Sequence, residues 1–461
     1  MLKVKVILGT MLLTTTVLAA EGDLIVRLQP GAERSLQSTL SNGDRVEAII
    51  PEMNLYLVKP ALLRSTKSFM RTIRENPGTQ NVFADYKMQL RNAPNDLDFS
   101  KIWSLNPNSK VNINTREAWG ISVGGPNKSG DQIVVAVVDG GFDLKHPDLM
   151  PNFWVNKDEV PGNKVDDDGN GYVDDVNGWD AFSNSGNIPT DSHGTHVAGT
   201  VGAKGNNQIG VAGINWDTQI MLVSASSGNF SVVGRGYGYA LKMKKLWIES
   251  NGQKGANVVS TNSSFGVDNA NCQSAQYTVW NDIYNEMGKA GILSAAATAN
   301  NAVNVDVVGD VPTACDSPYI VAVTNTDIND KLFSRAAWGS KNVDLGAPGT
   351  DIYSTLPNNR YGNNTGTSMA TPHIAGAIGL MYSAASADFI AFSKQDPAAA
   401  ALVVKDILLK TTDANPTLAG KTQSGGRLNL GNAVKAISQY VQPGQSNEGV
   451  IAGNGAGTLN N

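Results

Sequence analysis

The 461-residue chain is poor in charge, in histidine and in cysteine. Charged residues make up 17% of it, the formal net charge is −5, and no cluster of Lys and Arg stands out. This composition offers no basic face, so we expect no nucleic-acid partner. With four histidines, few candidates exist for a base that works near neutral pH.

Long apolar runs are also missing. Beyond the N-terminus no stretch reaches the roughly 20 apolar residues that a membrane helix needs. The start, "MLKVKVILGTMLLTTTVLAAEG", has two lysines, a short apolar stretch and then Ala19 and Ala20. This is the pattern of a secretory signal peptide, so we predict that residues 1–20 are removed and that the protein is secreted, extracellular or periplasmic. The alternative is a buried first strand.

Only two cysteines are present, Cys272 and Cys315. In an exported chain an even pair favours a disulfide, whereas in a cytosolic protein the same pair would be free thiols. The predicted export favours a Cys272–Cys315 disulfide.

Residues 21–91 are predicted to form a small α+β domain. Strand-like segments and two helical patterns, at 33–40 and 66–75, follow the order strand-helix-strand-strand-helix-strand, which is the split βαβ arrangement. A polar connector rich in Pro and Asn follows, and the Gly- and Asn-rich residues 441–461 are predicted to be disordered.

Residues 92–440 have a different texture. The runs "IVVAVVD", "IMLVSAS", "ANVVSTNSS", "GILSAAAT" and "YIVAVTN" are continuously apolar and alternate with helical patterns. Such runs predict an α/β domain with a mostly parallel sheet that is covered on both faces. In open α/β sheets, functional sites lie at the carboxyl ends of the strands.

The segment "NNTGTSMATPHIAGAIGL" places a hydroxyl, Ser368, just before a buried helix that the small and apolar residues 370–380 predict. Pro372 is expected in the first helical turn, which tolerates proline. Ser368 is then either an N-cap or a nucleophile at the positive end of the helix.

Two further candidates lie upstream. His193 opens another helix of small residues in "DSHGTHVAGT", with His196 on the same face. A zinc site is an alternative for this pair, although the usual helical spacing is i, i+4. Asp139 ends the strand "IVVAVVDGG", where a carboxylate either caps the turn or belongs to a site. The chain order Asp–His–Ser favours a site.

The segments "VVAVVDGGFDLKHPDL", "HGTHVAG" and "GTSMATPHIAG" resemble the three signature segments of the subtilisin-like serine proteases, the subtilases. The similarity runs from about residue 103 to 437. The resemblance implies a three-layer fold and a catalytic triad of Asp139, His193 and Ser368, in which His193 takes the Ser368 proton and Asp139 orients the imidazole.

Further site residues follow from the same resemblance. Asn300 in "AAATANN" matches the asparagine of the oxyanion hole, although Ala299 stands where the family has Gly and Asn301 is adjacent. Gly140 replaces the usual Thr or Ser after the aspartate. The predicted walls of the specificity pocket, which favour an apolar or medium-sized side chain, are Ser264, Phe265, Gly266 and Ala297.

The stretch "KVDDDGNGYVDDVNGWD" predicts a calcium site. Its alternate oxygen ligands follow the first half of an EF-hand loop, with Gly171 at the turn, but Asn177 replaces the twelfth-position Glu. A solvated acidic loop is the alternative, although its five clustered carboxylates would repel each other without a cation. The predicted ligands are Asp166, Asp168, Asn170, the carbonyl of Tyr172, and Asp174 or Asp175.

The family pattern implies a second calcium site between Asp148 and the loop "KGNNQIGV". Its ligands are the Asn207 side chain and the carbonyl oxygens of Gly205, Ile209 and Val211, in a loop one residue longer than in common subtilases. We therefore expect one or two Ca²⁺ ions and no organic cofactor.

Together these features predict a secreted, monomeric serine endopeptidase that acts on polypeptides. Residues 21–91 resemble the inhibitory propeptide of subtilases, which would act as an intramolecular inhibitor until self-cleavage near Arg91–Asn92. Two alternatives stay open. One is an inactive, calcium-dependent binding protein on the same scaffold, and the other is an enzyme that processes only itself.

Overall fold

The computed structural model describes residues 23–61, 65–85, 93–226 and 228–442. The chain divides into two compact units between Leu90 and Arg91. The predicted signal peptide, the predicted cleavage position and residues 443–461 of the predicted disordered tail lie outside the described residues.

The first unit is a four-stranded antiparallel sheet with two helices. Alternate residues of its first strand, Leu24, Val26 and Leu28, are buried in one cluster with Phe69 and Ile73 of the second helix. The strands lie in the order β2-β3-β1-β4, and the succession of elements is the predicted one. The elements are β1 (Leu24–Leu28), α1 (Glu33–Thr39), β2 (Arg45–Ile50), β3 (Leu55–Lys59), α2 (Thr66–Arg74) and β4 (Thr79–Ala84).

The second unit alternates strands and helices along the chain. Its elements are α3 (Thr115–Trp119), β5 (Val134–Asp139), β6 (Gly178–Asp180), α4 (Ser192–Gly202), β7 (Gln219–Ser224), α5 (Phe230–Glu249), β8 (Val258–Ser263), β9 (Val267–Asp268), α6 (Val279–Lys289), β10 (Leu293–Ala297), α7 (Val305–Val308), β11 (Asp310–Val311), β12 (Ile320–Thr326), β13 (Leu345–Pro348), β14 (Ile352–Leu356), β15 (Arg360–Asn364), α8 (Thr367–Ala384), α9 (Ala387–Gln395), α10 (Pro397–Lys410), β16 (Asp413–Ala414), β17 (Gly426–Arg427) and α11 (Leu430–Ser438).

The second unit is built on one large sheet. Among the described residues, nine strands lie in the order β16-β17-β13-β12-β10-β8-β5-β7-β6. Every neighbouring pair is parallel except β16 and β17 at one edge. The five predicted apolar runs form five consecutive strands of this sheet, β12, β10, β8, β5 and β7, so the mostly parallel sheet is confirmed.

Helices cover both faces of this sheet. Val135 and Val137 of β5 belong to the hydrophobic cluster that contains α4 and α8. The alternate residues of β5, Val134, Ala136 and Val138, belong to a second cluster, with α5 and α6. Because neighbouring strand residues point to opposite faces, this division confirms the three-layer α/β fold. Among the described residues no single helix is long and apolar enough to cross a membrane, and α8 and α9 meet that test only as a pair bent by 109°.

Candidate active site

Asp139 and His193 meet at the carboxyl end of β5. Asp139 is the last residue of that strand, and His193 is the second residue of α4. The N-cap of α4 is Asp191, whose carboxylate accepts the N–H groups of His193 and Gly194 at 2.8 and 3.1 Å. His193 Nδ1 lies 2.9 Å from both carboxylate oxygens of Asp139. The predicted Asp–His pair is therefore formed.

Two glycines allow this close approach. A Cβ on Gly194 would lie 2.9 Å from Asp139 Cβ and still closer to the Gly141 carbonyl oxygen, so α4 can pack on the end of β5 only without a side chain there. The N–H of Gly140 donates to Asp139 Oδ1 at 2.7 Å, and a Cβ on Gly140 would lie 3.2 Å from Asp191 Cγ. The space beside Gly140 is thus occupied by Asp191.

Three of the four histidines are buried and bonded within the fold. His196 Nε2 is hydrogen-bonded to the carbonyl oxygens of Ile352 and Gly362 at 2.9 and 3.2 Å. Burial lowers the pKa values of His196 and His373 to about 4 and also lowers the pKa of His146. Because two backbone carbonyl groups occupy Nε2, His196 is a structural residue, which argues against the zinc alternative.

His193 differs from these three residues. Burial lowers its pKa, but the hydrogen bond to Asp139 and the charges of Asp139 and Asp191 outweigh that effect and raise the pKa above its usual value. Its side chain is still 40% exposed. His193 is thus the one histidine of the chain placed to exchange a proton with a bound molecule.

Ser368 lies in the first turn of α8, which begins at Thr367. The N-cap is Gly366, without a side-chain cap, so the N-cap interpretation of Ser368 is wrong. Pro372 lies inside the helix and not in its first turn, so that expectation is also wrong. Because proline lacks an N–H, it cannot bond the Ser368 carbonyl four residues back. That carbonyl accepts the Ser264 hydroxyl instead, at 2.9 Å.

The Ser368 hydroxyl belongs to the same edge of the sheet as the Asp–His pair. Val138 is paired with Ser263, the last residue of β8, so Ser264 leaves the sheet at the edge where Asp139 ends β5. Ser368 Oγ donates to the Ser264 carbonyl at 3.3 Å. In the part of the chain that the structure describes, no hydrogen bond joins Ser368 Oγ to His193 Nε2.

The two adjacent asparagines have different partners. Asn300 Oδ1 accepts the backbone N–H and the hydroxyl of Thr367 at 2.9 and 3.1 Å, which leaves its Nδ2 group without a partner among the described residues. Asn301 Nδ2 donates to Asp268 at 2.9 Å. The free amide N–H₂ next to Ser368 is therefore that of Asn300.

The predicted pocket residues line one cavity. It measures about 130 Å³ and also contains Ser368 and Asn300 in its lining. Sequence reasoning missed Asp268 and Asp310, because each lies in a two-residue strand that has no periodic pattern. The full lining is Ser264, Phe265, Gly266, Asp268, Ala297, Thr298, Ala299, Asn300, Asp310, Thr367 and Ser368.

The acidic loop forms a carboxylate cluster, but with a member that was not predicted. Oxygen atoms of Glu159, Asp168 and Asp175 lie within 4.8 Å of one another. Asp175 is fully buried, and burial raises its pKa to about 7. Glu159 precedes the acidic stretch, and nothing in its own surroundings in the sequence pointed to it.

The remaining predicted ligands of this loop bind the loop itself. Asp166 accepts the N–H groups of Asn170 and Gly171. Asp174 accepts those of Gly162 and Lys164. Asn170 Nδ2 donates to Asp168 and Asp175, and Asn170 Oδ1 accepts the N–H of Tyr172.

The residues of the second predicted calcium site are also neighbours. Asp148 is fully buried and accepts Asn207 Nδ2 at 2.7 Å and the N–H of Val211 at 2.8 Å. Asn207 Oδ1 accepts the N–H of Ile209 at 2.9 Å. Asp96, which was not predicted, accepts the N–H of Asn207 at 3.3 Å.

The predicted disulfide is present. Cys272 and Cys315 are joined, with their Cα atoms 5.1 Å apart. Cys272 lies four residues after β9 and Cys315 four residues after β11, and these two strands pair with each other. The bond therefore joins the segments that follow the two strands that carry Asp268 and Asp310.

Comparison with known proteins agrees with this geometry. The model of the subtilase family matches residues 130–442, which is more than half of the chain. The chain is 33% identical over 270 residues to subtilisin-like protease 1 of Plasmodium falciparum, covering 54% of this chain and 37% of that protein. It is 32% identical over 276 residues to thermitase of Thermoactinomyces vulgaris, covering 59% of this chain and 80% of thermitase.

A solved structure shows the same fold. A protease from Pseudoalteromonas arctica superposes with a TM-score of 0.54 at 25% identity, covering 75% of this chain and 99% of that one. The chain spans little more than a third of the length of the Plasmodium relative. The match over residues 130–442 nevertheless contains the whole Asp139–His193–Ser368 arrangement, and the chain belongs to the subtilase family.

Proposed function

We propose that the protein is a serine endopeptidase with Ser368 as nucleophile, His193 as general base and acid, and Asp139 as the residue that orients His193. The observation that carries this proposal is the Asp139–His193 pair, which lies at the sheet edge where Ser264 contacts Ser368. The raised pKa of His193 supports it, because the same two aspartates would stabilise the imidazolium formed during catalysis.

In the proposed reaction, Nδ1–H of His193 donates to Asp139, so the lone pair of Nε2 is free to accept a proton. A rotation of the Ser368 side chain exchanges the long bond to the Ser264 carbonyl for one to Nε2. Oγ then attacks the peptide carbonyl carbon while its proton passes to Nε2. The C–N bond breaks as Nε2 returns that proton to the leaving amine, and water hydrolyses the acyl ester by the same steps.

The developing oxyanion would be stabilised by the Nδ2 group of Asn300 and by the N-terminus of α8. Thr367 holds the Asn300 carboxamide by its oxygen, so the amide N–H₂ needs no reorientation when charge develops. Fixed donors of this kind are the largest contribution in many acyl-transfer enzymes.

Two measurements test this proposal: labelling by a fluorophosphonate probe and hydrolysis of unfolded casein. We expect labelling of Ser368 and turnover of casein by the mature protein, and neither in Ser368→Ala. Ser129→Ala is the matched control, because Ser129 is exposed and its hydroxyl makes no hydrogen bond among the described residues. Failure to label would favour the inactive binding protein, and labelling without casein turnover would favour the enzyme that processes only itself.

We also propose that the unit at residues 23–84 is an inhibitory propeptide of a secreted zymogen. Its element order and its place before the matched domain support this. Ser368→Ala should accumulate as an uncut precursor, whereas the wild-type mature protein should begin near residue 92. A wild-type protein that keeps residues 23–84 while it hydrolyses casein would contradict this role.

Calcium binding at the acidic loop is the third part of the proposal. Carboxylate oxygens are ligands that Ca²⁺ prefers, and Glu159, Asp168 and Asp175 form no ion pair with Lys or Arg within the described ranges. These three residues would hold the ion, and Asp148 with Asn207 and Asp96 would hold a second one. An ion that binds only the folded state stabilises it.

A further inference from the structure

The floor and mouth of the Ser368 cavity carry two carboxylates that face each other across a strand pair. Asp268 of β9 is directly opposite Asp310 of β11 in an antiparallel pair. Residues in this position have Cβ atoms about 4.5–5.5 Å apart, and like charges there are destabilising. The cavity lining contains no Lys, Arg or His, so no cationic side chain of the lining offsets this repulsion.

Asp310 directs one oxygen into the cavity. The residue is only 1% exposed. Its Oδ2 accepts the N–H of Ala299 at 3.1 Å and the hydroxyl of Thr313 at 2.5 Å. Oδ1 has no hydrogen-bond partner among the described residues, and it is not completely buried. It is therefore open to the cavity as an acceptor.

The energetics of Asp310 favour a bound cation. Burial, with a smaller contribution from the charge of Asp268, raises its pKa to about 7, although the hydrogen bonds from Thr313 and Ala299 lower it. A positively charged group in the cavity would stabilise the ionised form of Asp310 and relieve the repulsion between the two aspartates. Hydrogen bonds between charged groups are about twice as strong as neutral ones.

The walls suit a long side chain with an apolar stem. Phe265 and Ala297 line the same cavity as Ser368 and the two carboxylates. A Cβ on Gly266 would lie 2.6 Å from the Val311 carbonyl oxygen, so this wall has no room for a side chain. Lysine and arginine combine an apolar stem with a charged end in this way.

We propose that the cavity binds the Lys or Arg side chain that precedes the scissile bond, with Asp310 Oδ1 accepting its charged end and Asp268 adding negative charge at the mouth. This inference rests on the proposed endopeptidase activity. The wall residues alone favoured an apolar or medium-sized substrate side chain. The proposed preference differs because the sequence pattern showed the walls of the pocket but not the carboxylates on its floor.

The test is kcat/KM for a series of peptides that differ only at this position, with Lys, Arg, norleucine, Gln and Glu. We expect Lys or Arg to be preferred over norleucine by roughly 10- to 100-fold, the range for a charge-assisted hydrogen bond. Asp310→Asn should remove this preference, because it should lower kcat/KM for the Lys and Arg peptides far more than for the norleucine peptide. Asp268→Asn should reduce the preference less, because Asp268 is exposed and its charge is screened.

Asp406→Asn is the matched control, because Asp406 is an exposed carboxylate paired with Lys410 away from the cavity. Preference for norleucine in the wild type, or an equal loss for all peptides in Asp310→Asn, would overturn the proposal. A metal ion in the cavity would also overturn the proposal. In that case Asp310→Asn would bind one Ca²⁺ fewer than the wild type, and its peptide preference would be unchanged.

Binding of the same peptides to Ser368→Ala separates this proposal from the proposed activity. A tighter complex with the Lys peptide than with the norleucine peptide would support the cavity assignment even if the wild type hydrolysed nothing. Equal binding of the two peptides would contradict the assignment even if the wild type were an active protease.

Discussion

His193 Nδ1 is equidistant, at 2.9 Å, from the two carboxylate oxygens of Asp139. The contact fixes both the orientation and the protonation of the imidazole, because a carboxylate can only accept a hydrogen bond from Nδ1–H. It leaves Nε2 unprotonated on the side that can receive a proton from a nucleophile. The contact with Asp139 therefore influences the pH range in which His193 can act as a base.

The pH dependence of kcat/KM should show the raised pKa of His193. The base must be neutral, so activity should rise with pH around a midpoint above 6.5, the usual value for histidine. Asp139→Asn should lower kcat by about 10⁴-fold, because Asn favours the wrong tautomer. Asp191→Asn should only move the midpoint down, since Asn caps a helix about as well as Asp. A midpoint below 6.5 in the wild type would contradict this account of His193.

Asn300→Ala should lower kcat by roughly 100- to 1000-fold with little change in KM, because the Nδ2 group would act on the oxyanion and not on the bound substrate. Asn301→Ala is the control. Asn301 is bonded to Asp268, so its loss should leave kcat within a few-fold. The reverse order of effects would assign the oxyanion role to Asn301.

Gly194→Ala should destabilise the protein by about 1–3 kcal/mol, the usual cost of overpacking, because the new Cβ would lie 2.9 Å from Asp139 Cβ. It should also reduce activity by displacing α4. Gly238→Ala, in the exposed middle of α5 with nothing within 4 Å, should instead stabilise the protein by about 0.5–1 kcal/mol. Urea unfolding of the two variants compares these effects. Equal effects would show that the close approach at Gly194 is unimportant.

Removal of Ca²⁺ by a chelator should lower the thermal midpoint and speed autolysis. Saturation at about 100 times Kd contributes about 2.7 kcal/mol, and Glu159→Gln and Asp175→Asn should each lose most of that calcium-dependent part. Asp406→Asn should behave as wild type. Calorimetry with and without Ca²⁺ measures the difference, and a calcium response as large as that of the wild type in both cluster variants would show that no ion binds at the acidic loop.

Cys272→Ser with Cys315→Ser should weaken both stability and the preference for basic peptides. The disulfide spans 43 residues, for which chain entropy predicts up to about 4 kcal/mol. It also joins the segments that follow β9 and β11, the two strands in which Asp268 and Asp310 face each other. If the variant lost stability but cleaved the Lys and norleucine peptides in an unchanged ratio, the disulfide would have no role in specificity.

Much of the fold could be predicted from the sequence because the signals were local. The five apolar runs form five consecutive strands of the large sheet, since a strand buried on both faces needs no polar alternation. Strands β6, β13, β16 and β17 of the same sheet were missed, because a strand of two to four residues carries no clear period. The start of α8 at Thr367 was placed three residues too late, because Gly366 and not a side-chain cap begins the helix.

The residues of the candidate site also divide into those with a local sequence signal and those without one. Asp139, His193 and Ser368 could be proposed as site residues from the sequence because each lies in a distinctive segment. Glu159, Asp268 and Asp310 could not, because only tertiary packing brings Glu159 to the acidic loop and the two aspartates to the cavity. The replacement of the Pro372 hydrogen bond by the Ser264 hydroxyl is likewise a contact between segments about 100 residues apart.

The most direct test concerns the contact between Ser368 and His193. A peptidyl chloromethyl ketone ending in lysine has one carbon for a serine hydroxyl and one for an imidazole nitrogen. A crystal structure of the inactivated mature protein should show a single inhibitor joined to Ser368 Oγ and to His193 Nε2. An inhibitor attached elsewhere, or attached to His193 with Ser368 Oγ still bonded to the Ser264 carbonyl, would contradict the triad.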